Sequence, residues 1–244
     1  MRELVKQDLY WVLQRTPKRV IQLMESTSAC FMAGGFIRAC VAGEEVQDID
    51  LFAPDADRAG LYATILAGID GKTYKSANAY TIRIPSVELP IQVIHRWAYT
   101  KPEELAESFD FTVAKSVVWC AGIRDETTHH QRWESLCHDD FYADLAAKRL
   151  VYTQPKRNED AGGSMLRVLK FYQRGYKIPL DSLAAVTARI VMGVKEEGLS
   201  ALHSNREAAM AMALTSLLHE VDPLQDPRHL FHLPSSSDAP AAEK

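Results

Sequence analysis

Residues 33–50 read Ala33-Gly34-Gly35-Phe36-Ile37-Arg38-Ala39-Cys40-Val41-Ala42-Gly43-Glu44-Glu45-Val46-Gln47-Asp48-Ile49-Asp50. The glycine pair can adopt φ > 0 and lets a backbone approach a phosphate with no Cβ in the way. A helix is predicted over Phe36–Ala42, ended by Gly43. Its first-turn N–H groups and its dipole would favour an anion at the glycine turn. If the following segment is a strand, alternation puts Asp48 and Asp50 on one face and turns Ile49 into the core. Two carboxylates beside an anion cradle make a site for Mg²⁺, which takes hard oxygen ligands and completes its shell with phosphate oxygens and water. The alternative is a Gly-rich turn before a helix, with two surface aspartates at a strand edge.

The ordered combination has strand-like flanks at 29–33 and 50–53. It resembles the nucleotidyltransferases of the DNA polymerase beta superfamily. Within them it is most similar to the class II tRNA CCA-adding enzyme and bacterial poly(A) polymerase group, where the run reads roughly G-G-x-V-R-D, a spacer, then D-x-D. The resemblance implies an α+β fold: a small mixed nucleotidyltransferase sheet flanked by helices, followed by a short all-helical region. It implies two-metal chemistry on Mg²⁺, with Mn²⁺ as a substitute, an NTP substrate, and an RNA or tRNA acceptor. By this resemblance Asp48 and Asp50 are metal ligands and catalytic residues, with Asp110 a third catalytic and nucleotide-supporting residue. Gly34, Gly35, Arg38 and Arg167 would complete the nucleotide site. The other reading of Arg38 is a surface ion pair with Glu44 or Glu45.

A second stretch, Glu107-Ser108-Phe109-Asp110-Phe111-Thr112-Val113, resembles the family's R-R-D-F-T-I-N-A. Asp110, Phe111 and Thr112 match, and Ser108 and Phe109 replace the two arginines. Without the family, the same stretch reads as a packed helix start capped by Asp110. Other departures bear on specificity. Ala39 stands where the acid of G-G-x-V-R-D belongs, and Gln92 stands where the superfamily often has a third acid. Glu159-Asp160 keeps the start of the base-reading E-D-x-x-R-x-x-R signature, but the register to Arg167 is one residue too long. Ser164 then occupies the first arginine's place, so the guanidinium fork that reads a base edge is missing. Leu166-Arg167-x-x-Lys170-Phe171 stands where the family has L-R-A-x-R-F.

Around these stretches the chain reads as helices over Glu3–Gln14 and Pro17–Ser26 and a strand over Ser28–Ala33. Leu4, Leu9, Trp11, Val12, Val20, Ile21 and Leu23 are the predicted core contacts, with Thr16 as N-cap of the second helix. A helix capped by Asp57 runs to about Ala67. Tyr74–Ile84 reads as a strand or hairpin arm and Leu89–His95 as a buried strand, followed by a helix over Pro102–Ser108 with Thr100 as N-cap. Later helices are expected at Ser164–Lys177, Leu183–Glu197 and Ser204–Glu220, ahead of a Ser/Ala/Pro tail. The expected division is a catalytic domain at 1–145, a helical neck and substrate region at 146–233, and an unstructured tail at 234–244.

The 244 residues, 47% apolar, suffice for one large or two small cores. A net charge of −4 gives no global basic field, so nucleic acid would have to meet a local patch. One such stripe is Lys148, Arg149, Lys156, Arg157, Arg167, Lys170, Arg174 and Lys177 with interleaved aromatics, which reads equally as a solvated helix face. The four cysteines lack CxxC spacing and read as reduced thiols, three of them in apolar runs. His129-His130 and Cys137-His138 do not have zinc-finger spacing. No signal-peptide core or run of roughly 20 apolar residues is present, so a cytoplasmic protein away from membranes is expected.

Three functions follow. The first is NMP transfer from an NTP to an RNA 3′ end, with tRNA among the candidate acceptors, and pyrophosphate release. The second is the same chemistry on a protein or small-molecule hydroxyl, as in toxin–antitoxin or phage-related enzymes. The third is a non-catalytic nucleotide-binding relative.

Overall fold

The computed structural model describes residues 1–125, 130–155, 161–193 and 210–211. The elements in order are α1 (Lys6–Arg15), α2 (Lys18–Ser26), β1 (Phe31–Ala33), α3 (Gly35–Ala42), β2 (Ile49–Phe52) and α4 (Ala56–Ala67). They continue with β3 (Lys72–Lys75), β4 (Ala79–Ile84), β5 (Val87–Ile94), α5 (Pro102–Ser108), a 3₁₀ turn at Thr112–Ala114, β6 (Ser116–Asp125) and β7 (His130–Cys137). The last are α6 (Phe141–Ala146), α7 (Ala161–Gln173) and α8 (Leu180–Gly193). One compact unit comprises Met1–Lys156 with Tyr176–Pro179, and a second comprises Arg157–Gly175 with Leu180–Lys244.

The strands of the first unit form one mixed sheet in the order β3-β4-β5-β2-β1-β6-β7. Only β2 and β5 run parallel, joined through α4 and the β3–β4 hairpin; the other pairings are antiparallel. Directly paired residues share a face, so the register sorts the side chains. Ile82, Ile91, Val93, Ile49, Leu51, Met32 and Val118 fall on one side and are fully buried. That burial follows from the alternation in Asp48-Ile49-Asp50-Leu51, whose apolar members all face one way. Phe31, Ala33, Phe52 and Val117 lie on the other side and pack with Leu105 and Ala106 of α5. Asp50 and Gln92 share that second side.

Local chemistry departs from expectation at several points. The Thr16 hydroxyl donates to the Val12 carbonyl of the preceding helix at 2.8 Å instead of capping α2, whose N-cap is Pro17. Asp55, not Asp57, caps α4, accepting from the Arg58 N–H at 2.7 Å, an interaction worth about 1 kcal/mol. Lys101, not Thr100, holds the N-cap position of α5, without a side-chain cap bond. Trp11 is 49% exposed, because Val12 takes the inward stripe of α1. The first strand begins at Phe31, since Ala29 adopts φ +56.

The arm at 74–84 is a hairpin. Its turn is held by the Ser76 hydroxyl, which accepts from the N–H groups of Asn78 and Ala79. Strands β6 and β7 are members of the sheet for which the sequence reading gave no strand. Cys30, Cys40 and Cys137 are buried and Cys120 half-buried, all as free thiols. Among the described residues no helix is long and apolar enough to cross a membrane.

Candidate active site

The site forms where β1 runs out into α3 beside the start of β2. Gly34 is the N-cap of α3 with φ +77 and ψ −124, a conformation open to glycine alone. Its N–H donates to the Ser116 carbonyl at 2.9 Å, so that amide is already committed to β6. The first-turn N–H groups of Gly35, Phe36 and Ile37 have no acceptor within an α-helix, and they supply the donor end. Among the described residues beyond its chain neighbours and its own helix backbone, a Cβ on Gly35 would meet no atom within 4 Å, whereas one on Gly34 would sit 3.0 Å from the Phe109 ring. The outer face of the turn is therefore clear of side chains among the described residues, while its inner face is packed.

The two aspartates lie on one side. Gln92 pairs in register with Asp50 and donates its Nε2–H to Asp48 Oδ2 at 3.3 Å. Continuing the β1–β2 register, Phe31 to Phe52 and Met32 to Leu51, sets Ala33 opposite Asp50. The carboxylates thus stand beside the strand end that opens into the glycine turn. Enclosure raises the Asp50 carboxyl well above its ordinary range, and the Asp48 charge raises it further. Such a pair gains from a divalent cation, which removes the mutual repulsion.

Mg²⁺ commonly takes one or two protein carboxylates and fills its remaining positions from phosphate and water. Asp48 and Asp50, with the neutral Gln92 amide alongside, fit that donor set. Among the described residues no group of three or more His, Cys, Asp or Glu side chains is gathered to hold a metal.

The other predicted residues are placed as follows. Arg38 is only 3% exposed within α3, with its Nε 3.5 Å from Glu44 Oε2; Lys148 Nζ is 3.7 Å from the other Glu44 oxygen. Its pairing with Glu44 is thus buried, where the sequence suggested a surface contact. Asp110 is 3% exposed and follows Phe109, whose ring lies against Gly34. The Asp110 carbonyl accepts from the Thr153 N–H at 2.8 Å. Arg167 lies half-buried on α7 in the second unit. Glu159-Asp160, Lys156 and Arg157 fall outside the described residues, as does the 204–220 helix apart from 210–211.

Sequence reasoning did not find two supporting arrangements. Phe109 closes the inner face of the turn and meets Phe52 edge-on, with ring centroids 6.1 Å apart. Thr112 Oγ1 donates to the buried Asp144 at 2.6 Å, and Arg149 binds the same carboxylate through Nε at 2.7 Å. The Asp110-Phe111-Thr112 match was visible in the sequence, but the contact of Thr112 with Asp144 was not. Nearby, the ammonium of the buried Lys115 is pushed down by loss of water, against the opposing charges of Glu107 and Asp110.

A mixed sheet with a glycine turn, a following helix and a paired-carboxylate strand defines a nucleotidyltransferase fold. The chain belongs to the Gabija anti-defense 2 family, whose profile matches residues 3–148. Solved structures agree with the fold. A Thermotoga maritima CCA-adding enzyme complexed with tRNA is 18% identical, with TM-score 0.52 over 95% of this chain and 54% of that one. A CCA-adding enzyme with ATP is 19% identical, with TM-score 0.53 over 94% of this chain and 53% of that one. This chain therefore spans just over half the length of those enzymes. No curated protein matches it.

Proposed function

We propose that the chain is a magnesium-dependent nucleotidyltransferase that moves a nucleoside monophosphate from an NTP to the 3′ hydroxyl of an RNA. The observation that carries this reading is the pairing of Asp48 and Asp50 on one side of the sheet, joined through Gln92, next to the open face of the glycine turn. Bound Mg²⁺ would supply charge neutralisation on the triphosphate and acidify the attacking hydroxyl. The chain's own part is to hold and orient. The first-turn amides of α3 receive phosphate oxygens, with the helix dipole adding to the attraction. Asp48 and Asp50 supply the carboxylates, and Gln92 fixes the orientation of Asp48.

In the reaction the acceptor oxygen bonds to the α-phosphorus and the bond to the bridging oxygen breaks. Pyrophosphate leaves, and the hydroxyl proton passes to the medium. Arg38 is engaged with Glu44, so its role in this reading is to brace α3 and add positive potential behind the turn.

The family description favours a second reading, in which the acceptor hydroxyl belongs to a component of Gabija defence. The missing arginine fork, with Ser164 in its place, supports relaxed or altered base selection in either case. The two are separated by incubating the purified chain with each α-labelled NTP, Mg²⁺ and either total RNA or protein from a lysate that contains the Gabija components. Label in RNA supports the first reading and label in protein the second. No label under any condition removes both.

A further inference from the structure

The side of the sheet that carries the carboxylates continues past β5 into the β3–β4 hairpin. Tyr74 pairs with Thr81, Thr81 with Gln92, and Gln92 with Asp50, so these four residues form one row across the strands. Lys72 pairs with Arg83, two residues along on the same side and toward the Asp48 end. Lys72 and Arg83 are exposed and Tyr74 is 41% exposed.

Residues 71–87 hold Lys72, Lys75 and Arg83 and no Asp or Glu, a local basic stretch in a chain of net charge −4. Of the flanking acids, Asp70 is ion-paired with Arg19 at 2.7 Å and Glu88 lies exposed on β5. Neighbouring strands lie about 4.8 Å apart, which puts Arg83 roughly 10 Å and Tyr74 roughly 14 Å from the aspartate strand.

The geometry points to a single-stranded polynucleotide lying across this side of the sheet. Its 3′ hydroxyl sits at Asp48 and Asp50, its backbone phosphates meet Arg83 and Lys72, and one base stacks on Tyr74. This rests on the nucleotidyltransfer reading above and names the surface that would select its acceptor. A span of roughly 14 Å holds about four stacked nucleotides at roughly 3.4 Å per step. Cations that track the backbone, combined with an exposed aromatic for a base, are how proteins hold single strands without reading sequence. An acidic peptide would use the cations but gain nothing from Tyr74.

The test is fluorescence anisotropy of the full chain with a 5′-labelled ten-nucleotide single-stranded RNA, measured from about 50 to 300 mM salt. Lys72→Gln with Arg83→Gln should reduce the slope of log affinity against log salt by roughly 1.4, since each lost phosphate contact on a single strand removes about 0.7. Tyr74→Ala should weaken binding roughly tenfold with the slope unchanged. Asp48→Asn with Asp50→Asn should lose transfer.

Absence of RNA binding by the wild type overturns the proposal, as do unchanged affinity and slope in the hairpin variants. Equal binding of polyglutamate with the same variant sensitivities also overturns it. Transfer activity that survives alongside such a result leaves the nucleotidyltransferase reading standing. Conversely, hairpin-dependent RNA binding without transfer removes that reading alone.

Discussion

Gly35→Ala adds one methyl group to the outer face of the glycine turn, and the structure gives its two consequences opposite signs. Gly35 is the first residue of α3, and a Cβ there meets no other atom within 4 Å among the described residues. At such a compatible site, Gly→Ala stabilises by about 0.4–1 kcal/mol, mainly by restricting the unfolded chain. For a protein of this size that is a rise of roughly 1–4 °C in Tm. A phosphate seated on the first-turn amides would occupy the same space. Crowding a filled site by one methyl costs about 1–3 kcal/mol, or roughly 5- to 150-fold in NTP affinity.

Gly34→Ala is the counterpart. Its φ of +77 and the Phe109 ring 3.0 Å from the added Cβ predict a loss of about 2–4 kcal/mol from backbone strain and the displaced ring contact. Differential scanning fluorimetry and equilibrium binding of a fluorescent NTP analogue with Mg²⁺ read both effects. A Gly35→Ala protein that is more stable and binds NTP as well as the wild type would refute phosphate seating at this turn.

Three further outcomes follow from the same geometry. Asp48→Ala with Asp50→Ala should abolish transfer and leave the far-ultraviolet circular dichroism spectrum unchanged, because the buried partners of β2 are Ile49 and Leu51. In chelator, stability should fall as pH rises from about 4, the ordinary carboxylate range, toward neutrality. The reason is that the folded state holds the Asp50 proton more tightly than the unfolded chain, so deprotonation disfavours folding. Urea midpoints should show this slope in the wild type and a flatter one in Asp50→Asn. Finally, Asp144→Ala leaves Thr112 and Arg149 without their shared carboxylate. Arg149 is half exposed and can turn to water. The cost is therefore that of the buried Thr112 hydroxyl left unsatisfied, about 1–3 kcal/mol, read from urea unfolding.

The position of the carboxylates was legible because strand alternation is a local rule. Ile49 and Leu51 are apolar, so Asp48 and Asp50 must face the other way. The glycine turn was legible for a similar reason, since a paired glycine ahead of a short helical run has few other uses. What escaped was non-local or chemically ambiguous. The contact of Phe109 with Gly34 joins residues far apart in sequence and leaves no periodic trace. Strand β7 reads His130-Gln131-Arg132-Trp133-Glu134-Ser135-Leu136-Cys137, an edge strand with an exposed Arg132–Glu134 ion pair and little apolar alternation. The sequence reading placed the cap of α4 at Asp57, two residues late, because Asp55 and Asp57 carry the same side chain. Only the observed reach of Asp55 to the Arg58 N–H separates them.

All of these readings converge on whether Asp48 and Asp50 hold a divalent cation against a triphosphate. Electron paramagnetic resonance of Mn²⁺ with a non-hydrolysable NTP analogue counts that ion directly. The wild type should retain nucleotide-dependent Mn²⁺, and the Asp48→Asn, Asp50→Asn double variant should release it. Equal retention by the two proteins, both folded, would contradict the assignment.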